Sequence, residues 1–336
     1  MLNKKSLINR IWVGALIFIG MIGIIVLNIY FPNYSHPSND NRQFISGRAI
    51  NSVILAVLIL LSVVEMRRAF GKERIPDCFS WLIWLYGIGL ALMYSLFGFT
   101  GIIFFTLVVF IAAIVTSLVK NRVDSLIYIG FMLVYPGLFM ATMLYLNRSA
   151  STQIVSPDSP LYQYLENDIW SFLGESRVTN LLPLNGISLA FVFAVSSFTD
   201  VFAFFVGSLF GKHKLCPEIS PKKTVEGSVG GIFGGIFGSA LVYFLFDYFK
   251  IFGAQFGLTY VGYGLSTAHI VVTYVIIGLF GSVTTQIGDL IASQVKRYCG
   301  IKDYSRILGE HGGIMDRFDG IMITSVLVAF VFMFIY

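Results

Sequence analysis

The chain has 336 residues, of which 56% are hydrophobic and only 12% charged, with a formal net charge of +5 at pH 7. Soluble domains carry about a quarter charged residues, so a water-soluble globular fold is excluded, and a chain this apolar cannot stay solvated as a disordered one. A helical span needs about 20 predominantly apolar residues, and nine such spans would use a little over half of this chain, in line with its apolar fraction.

In chain order the apolar runs fall at about 11–30, 48–66, 79–97, 100–119, 124–146, 186–210, 229–249, 269–290 and 317–336. They are long and continuously apolar, whereas membrane barrels show ten-residue segments of alternating polarity. The expected fold class is therefore all-α, a polytopic membrane helical bundle of about nine transmembrane helices. The first run follows Lys4, Lys5 and Arg10, but it is longer than a signal-peptide core and lacks a small-residue cleavage site, so it reads as a retained helix.

Nine crossings sort the basic residues. Lys4, Lys5 and Arg10, then Arg67, Arg68, Lys72 and Arg74, then Lys120 and Arg122, then Lys212, Lys214, Lys222 and Lys223, then Lys296, Arg297, Lys302, Arg306 and Arg317 share one side. They make up 18 of the 23; Arg42, Arg48, Arg148, Arg177 and Lys250 lie on the other. Cytoplasmic loops collect Lys and Arg, which places the N-terminus inside and the C-terminus outside. The basic excess then belongs to loops facing anionic head groups and anionic substrates, and does not argue for nucleic acid. Cys78, Cys216 and Cys299 lie at the inner side, without CxxC or His-rich spacing, so neither a disulfide framework nor a zinc site is supported.

Two regions follow from this pattern. Residues 1–185 offer five hydrophobic helices, little chemistry and an outer segment at 147–185 with an amphipathic middle around Leu161 to Phe172, read as a surface cap or short interfacial helix. Asn33-Tyr34-Ser35 and Asn147-Arg148-Ser149 are formal glycosylation sequons there. Residues 186–336 form the second transmembrane region, with polar inner loops at 211–228 and 291–316, and it is here that catalytic chemistry is expected.

Asp200 lies in the sixth run beside Ser196, Ser197 and Thr199, and a carboxylate at membrane depth should face the bundle interior or a wet cavity. Asp247, at the outer end of the seventh, reads as an ordinary interfacial residue. The loop between these runs holds Lys212, Lys214, Lys222 and Lys223 with Ser220, Thr224 and Glu226. Lysines beside hydroxyl donors suit a polyphosphate, although a solvated positive loop has the same composition and no P-loop is present. Gly227, Gly231 and Gly235, with Gly230, Gly234 and Gly238, recur at four-residue spacing and predict close helix packing.

The last inner loop is the richest. Asp289, Ser293, Lys296 and Arg297 share one face of a helix, and Asp316 and Asp319 stand at i and i+3 at the start of the final run. Two adjacent helices can thus aim carboxylates at one point with cations beside them. Hard oxygen ligands without His or Cys favour Mg²⁺, and flanking cations suit a substrate bearing several negative charges, hence phosphoryl or nucleotidyl transfer.

The stretches Ser293-Gln294-Val295-Lys296-Arg297, Lys302-Asp303-Tyr304-Ser305 and Leu308-Gly309-Glu310-His311-Gly312-Gly313-Ile314-Met315-Asp316-Arg317-Phe318-Asp319 closely resemble the signature of phosphatidate cytidylyltransferases, the CDP-diacylglycerol synthases. Asp200, residues 207–214, the Ser220 to Gly227 loop and Gly288-Asp289 also resemble the family, which covers roughly 196–320. The resemblance implies an integral membrane enzyme, of a bacterial plasma membrane rather than an organelle, that converts CTP and phosphatidate to CDP-diacylglycerol and pyrophosphate at the cytoplasmic face, with Mg²⁺. A homodimer in contact with membrane lipids is implied too. Asp289 and Asp316 with Asp319 are then expected to hold Mg²⁺ and a second cation. Lys222, Lys223, Lys296, Arg297 and Arg317 would neutralise phosphates, and His311-Gly312-Gly313 would admit a phosphate close to the backbone. Ser220, Thr224, Glu226, Asp200, Ser293, Lys302 and Asp303 are expected at the substrate. A CTP-dependent polyprenol kinase, and behind it a transporter using Asp200, are the alternatives.

Overall fold

The structure is a computed structural model and describes residues 4–30, 47–148, 150–154, 179–183, 185–253, 257–258, 266–309 and 312–335. His311, the sequon at Asn33 and the amphipathic middle of the 147–185 segment lie outside the described residues. The helices are α1 (Lys4–Tyr30), α2 (Gly47–Arg74), α3 (Ser80–Lys120), α4 (Ser125–Met132), α5 (Phe139–Arg148), α6 (Asn185–Phe210), α7 (Val225–Tyr243), α8 (Thr267–Tyr298) and α9 (Met315–Ile335). Leu133–Leu138 joins α4 to α5 as one π-helical turn, and Phe244–Tyr248 extends α7 in the same way.

Among the described residues six helical stretches are long and apolar enough to cross a membrane: Ala49–Arg74, Asp77–Lys120, Ser125–Asn147, Gly186–Phe210, Val225–Tyr248 and Thr267–Tyr298. The protein is thus an all-α, multi-pass membrane protein. Leu16–Ile29 is a shorter apolar helix, and α9 opens with Asp316, Arg317 and Asp319 before its apolar run.

The Asp77–Lys120 stretch is interrupted at Gly98, whose backbone (φ 64°, ψ −152°) no helix contains and which glycine adopts without strain. The chain doubles back there. Tyr86 Oη lies 3.2 Å from Thr106 Oγ1, the Tyr86 and Phe105 rings stack at 6.3 Å, and Gly101 sits against Met93 and Phe97. These pairs close symmetrically on Gly98, the signature of an antiparallel helical hairpin.

The predicted glycine face on α7 is a packing face. A side chain at Gly238 would stand 2.7 Å from the Ala194 carbonyl of α6, and one at Gly235 would meet Ser282 Cβ of α8 at 2.5 Å. Small residues let backbones approach where lipid supplies no hydrophobic drive between helices, so α7 is wedged between α6 and α8. α8 in turn crosses α9 at Gly288 and Gly320, with Thr285 Oγ1 to Thr324 Oγ1 at 2.7 Å just beyond.

The amino and carboxyl halves share one bundle. Thr142 of α5 meets Ser325 of α9 at 2.7 Å, and Asn147 Oδ1 accepts from Asn28 of α1 at 2.9 Å while its amide donates to Ser52 of α2 at 3.0 Å. Asn147 is fully buried, so its formal sequon offers no acceptor to a glycan. Asp247 departs from its interfacial reading as well. The π turn rotates it inward, where it is 7% exposed and accepts from the Leu258 amide at 3.1 Å and from the Tyr274 hydroxyl.

Two short antiparallel ribbons decorate the helices. β1 (Ala150–Ile154) pairs with β2 (Thr179–Pro183) at the two ends of the expected outer segment. β3 (Lys214–Cys216) pairs with β4 (Ser220–Thr224) in the 211–228 loop, around a turn at Pro217 that suits the fixed φ of proline. The helix-length pattern of the sequence gave no sign of either ribbon.

Candidate active site

The β3–β4 hairpin folds over the C-terminal end of α8, and its anchoring begins at its base. Thr224 caps α7, its hydroxyl accepting from the Gly227 amide at 3.1 Å. Glu226, in the first turn of α7, reaches back to the Lys212 amide at 3.0 Å and to His213 Nδ1 at 2.6 Å. Arg297 of α8 donates to the Ile219 carbonyl at the hairpin tip, 3.2 Å away. Thr224, Glu226 and Arg297, expected at the substrate, thus shape and dock the loop.

That docking delivers Lys223 to Asp289 of α8, with Nζ 2.5 Å from Oδ2. Ser293, one turn further on, lies 3.4 Å from the other oxygen. Asp200 of α6 is exposed and stands within electrostatic reach of Asp289, Lys223 and Arg317; Asp319 of α9 stands within reach of Asp289, Asp200 and Lys296. The α8–α9 crossing at Gly288 brings the last two aspartates together, because a side-chain carbon at Gly288 would collide with the Asp319 carbonyl.

Asp316 is built differently. Its Oδ1 pairs with Lys296 Nζ at 2.7 Å, and its Oδ2 accepts from the Gly313 amide at 2.9 Å and the Tyr304 amide at 2.8 Å. The carboxylate therefore ties the loop before α9 to the helix start, where a negative charge also suits the helix dipole. Gly312 has φ 82°, and a Cβ there would meet Asp316 Oδ2 at 2.7 Å, so glycine is required for the turn that closes over this carboxylate. Tyr304 donates its hydroxyl to the Ala292 carbonyl at 3.1 Å, and Lys296 Nζ lies 5.5 Å from its ring centre. Burial, reinforced by the Asp316 charge, pushes the Tyr304 phenol well above its ordinary range and keeps it a neutral donor.

Lys222, Lys302, Asp303 and Arg317 are exposed, and Ser220 is half-buried in β4. Among the described residues Lys302 and Asp303 make no hydrogen bond or ion pair with the cluster. Nor, among them, do three His, Cys, Asp or Glu side chains converge into a set able to hold a metal ion. Asp289, Asp316 and Asp319, the expected trio, do not form such a set; the Lys223 ammonium sits on Asp289 and that of Lys296 on Asp316. The donor chemistry nonetheless fits a hard cation: the set is all oxygen, and two of its members each already hold a positive charge.

One principal residue comes from the half to which sequence reasoning assigned no chemistry. Glu65 of α2 is fully buried and accepts from Ser305 Oγ at 2.5 Å, the Ile314 amide at 3.1 Å and the Met315 amide at 2.8 Å. Gly313 lies against the same carboxylate, with room for no side chain. The signal was present in the sequence, as a lone carboxylate closing an apolar run, which in a membrane protein is a functional candidate by default. A second link from the amino half is Arg74, stacked 4.6 Å over the Tyr298 ring, while the Tyr128 and Tyr298 hydroxyls meet at 2.8 Å.

The chain is similar in sequence to known proteins. Over 140 residues the chain is 38% identical to a protein of Staphylococcus saprophyticus named phosphatidate cytidylyltransferase, covering 42% of this chain and 46% of that one. It is 37% identical over 138 residues to the protein of the same name from Aquifex aeolicus, covering 41% and 43%. The chain thus spans less than half the length of the curated relatives it matches. The sequence model of the cytidylyltransferase family matches residues 42–335, most of the chain, including α2 with Glu65 and every described residue of the cluster. The chain belongs to the cytidylyltransferase family.

Proposed function

We propose that this protein transfers the cytidylyl group of CTP to phosphatidate, forming CDP-diacylglycerol and releasing pyrophosphate. The observation that carries the reading is the pair of ammonium–carboxylate contacts, Lys223 to Asp289 and Lys296 to Asp316, held at one end of α8 and α9 by the hairpin and by the loop before α9. A site that gathers carboxylates and lysines at a helix start suits a substrate with several phosphates and a cation to accompany them. Family membership and the names of the relatives point the same way.

In this mechanism an oxygen of the phosphatidate phosphate attacks the α-phosphorus of CTP in line. The bond from that phosphorus to the bridging oxygen breaks, and pyrophosphate leaves with the electron pair. No general base is needed, since the attacking phosphate is already ionised near neutral pH. Lys223 and Lys296 neutralise the phosphates, with Lys222, Arg297 and Arg317 around them. Asp289 and Asp316 with Asp319 would hold Mg²⁺ and a second cation, which would supply further neutralisation of the triphosphate. Glu65 and Asp316 keep the loop fixed, so little reorganisation accompanies the reaction.

We place this end of the bundle at the cytoplasmic face, because the basic loops following α2 and α6 and the loop between α8 and α9 gather there. The Gly98 hairpin supports counting two crossings in the Asp77–Lys120 stretch, and nine in all with α1 and α9. The test is to incubate the purified protein with labelled CTP, phosphatidate and Mg²⁺. Cytidine in the lipid product, with pyrophosphate release that requires phosphatidate, is expected; a phosphorylated lipid without cytidine would overturn the reading in favour of a lipid kinase.

A further inference from the structure

The π-helical turn between α4 and α5 carries one tyrosine that nothing in the fold employs. Tyr135 is 3% exposed, and its hydroxyl has no hydrogen-bond partner among the described residues. Its ring is wedged between Phe131 and Phe139, with centroids at 5.3 and 6.0 Å. The turn itself is held from outside: Tyr86 donates to the Leu133 carbonyl at 2.7 Å and packs into the space left by Gly137. The phenol is thereby fixed in place by contacts that do not involve its oxygen. That oxygen lies within electrostatic reach of Tyr304, Asp319 and Asp289, members of the cluster described above.

The other buried tyrosines here satisfy their hydroxyls. Tyr86 bonds Leu133, Tyr304 bonds Ala292 and Tyr274 bonds Asp247. A buried hydroxyl left unpaired costs folding free energy and calls for a reason; among the described residues Tyr135 Oη shares that state with single atoms of Asn28, Asn51, Arg67 and Thr199, and it is the tyrosine among them. Tyr135 feels the Asp289 and Asp319 carboxylates without donating to them, so its proton remains available to a group that enters between. A neutral phenol can approach a phosphate oxygen where another cation would only duplicate Lys223 and Lys296.

We infer that the Tyr135 hydroxyl is a substrate ligand, donating a hydrogen bond to a phosphate oxygen in the site formed by Asp289, Asp319 and the two lysines. The inference rests on the nucleotidyl-transfer reading and deepens it, and it gives the amino half of the chain a direct contact with substrate.

The variant Tyr135→Phe removes only the unpaired oxygen, and Tyr86→Phe, which removes a paired one, serves as the structural control. Tyr135→Phe is expected to melt at or above the wild-type temperature, whereas Tyr86→Phe melts lower. The catalytic efficiency of Tyr135→Phe should fall about tenfold or more, the scale of a hydrogen bond to a charged group. A rise in KM confined to CTP assigns the bond to the nucleotide, one confined to phosphatidate assigns it to the lipid, and a fall in kcat alone assigns it to the transition state. Stabilisation by inorganic pyrophosphate, read as a melting shift, should be smaller in Tyr135→Phe than in wild type. If wild type fails to turn over CTP yet this difference persists, the phosphate contact stands and the nucleotidyl-transfer reading falls. Unchanged kinetics together with an unchanged pyrophosphate shift would overturn the inference.

Discussion

The Glu65 carboxylate accepts the backbone amide of Met315 at 2.8 Å, across 250 residues of sequence. It ties the amino half to the loop before α9 and to the start of the helix that carries Asp316. With Ser305 and Ile314 on the same carboxylate, three donors depend on one side chain. Glu65→Ala leaves the two buried amides and the half-buried Ser305 hydroxyl unpaired, at a cost of about 3 kcal/mol or more. Glu65→Gln keeps the volume but presents an amide N–H to one backbone N–H. Thermal unfolding in detergent should show a large drop for Ala and a smaller one for Gln, with Gln also losing activity; wild-type melting for Glu65→Ala would show that the tie is not formed.

The hairpin lysines should separate sharply. Lys223 touches Asp289, whereas its neighbour Lys222 is exposed. Lys223→Ala is expected to reduce catalytic efficiency about a hundredfold, the scale of removing one charge-stabilising group from an active site. Lys222→Ala should cost about tenfold or less. Steady-state rates of CDP-diacylglycerol formation decide between them, and equal losses would mean that the hairpin docks differently in the working enzyme.

Asp289→Asn and Asp316→Asn should differ in kind. Asp289 makes contacts only through side chains, so its variant should fold normally and lose activity, most severely at limiting Mg²⁺. Asp316 also accepts two backbone amides, so its variant should lose both activity and thermal stability. Near wild-type turnover by Asp289→Asn at limiting Mg²⁺ would overturn the metal role proposed for that residue.

Tyr304 sets a limit at high pH. Its phenol is pushed above the ordinary value of 10, first by burial and then by the Asp316 charge. Between that value and its raised one the unfolded chain ionises while the folded chain does not, so its contribution to stability is complete below pH 10 and is lost as the pH rises further. Wild type should therefore destabilise more steeply above pH 10 than Tyr304→Phe, as measured by melting temperature against pH.

The glycine wedge is the most sensitive part of the scaffold. Gly235→Val would place methyl groups where Ser282 Cβ and the Gly278 carbonyl already lie. Overpacking costs about 1–3 kcal/mol where side chains can shift, and a carbonyl held in a helix shifts little. Loss of monodisperse protein on size exclusion is expected for Val and not for Ala at the more open Gly130, whose nearest neighbour is the edge of the Phe110 ring at 3.3 Å.

What the sequence alone determined about this protein follows from local and additive properties. Apolar runs long enough to span a bilayer give an all-α membrane protein, since hydrocarbon forces each segment to satisfy its own backbone. The glycine period gives a packing face, and the 291–316 signature gives the family and its polar residues. Tertiary structure decided the pairings. Lys223 and Asp289 are 66 positions apart, and Glu65 and Met315 lie in different halves, so neither pair has a period or spacing to betray it. The inward turn of Asp247, the two ribbons and the unpaired hydroxyl of Tyr135 are likewise invisible in composition, because each depends on which helix faces which across the bundle. In a membrane the buried polar contacts that specify a site are few and long-range, and the sequence names the side chains without saying where they meet.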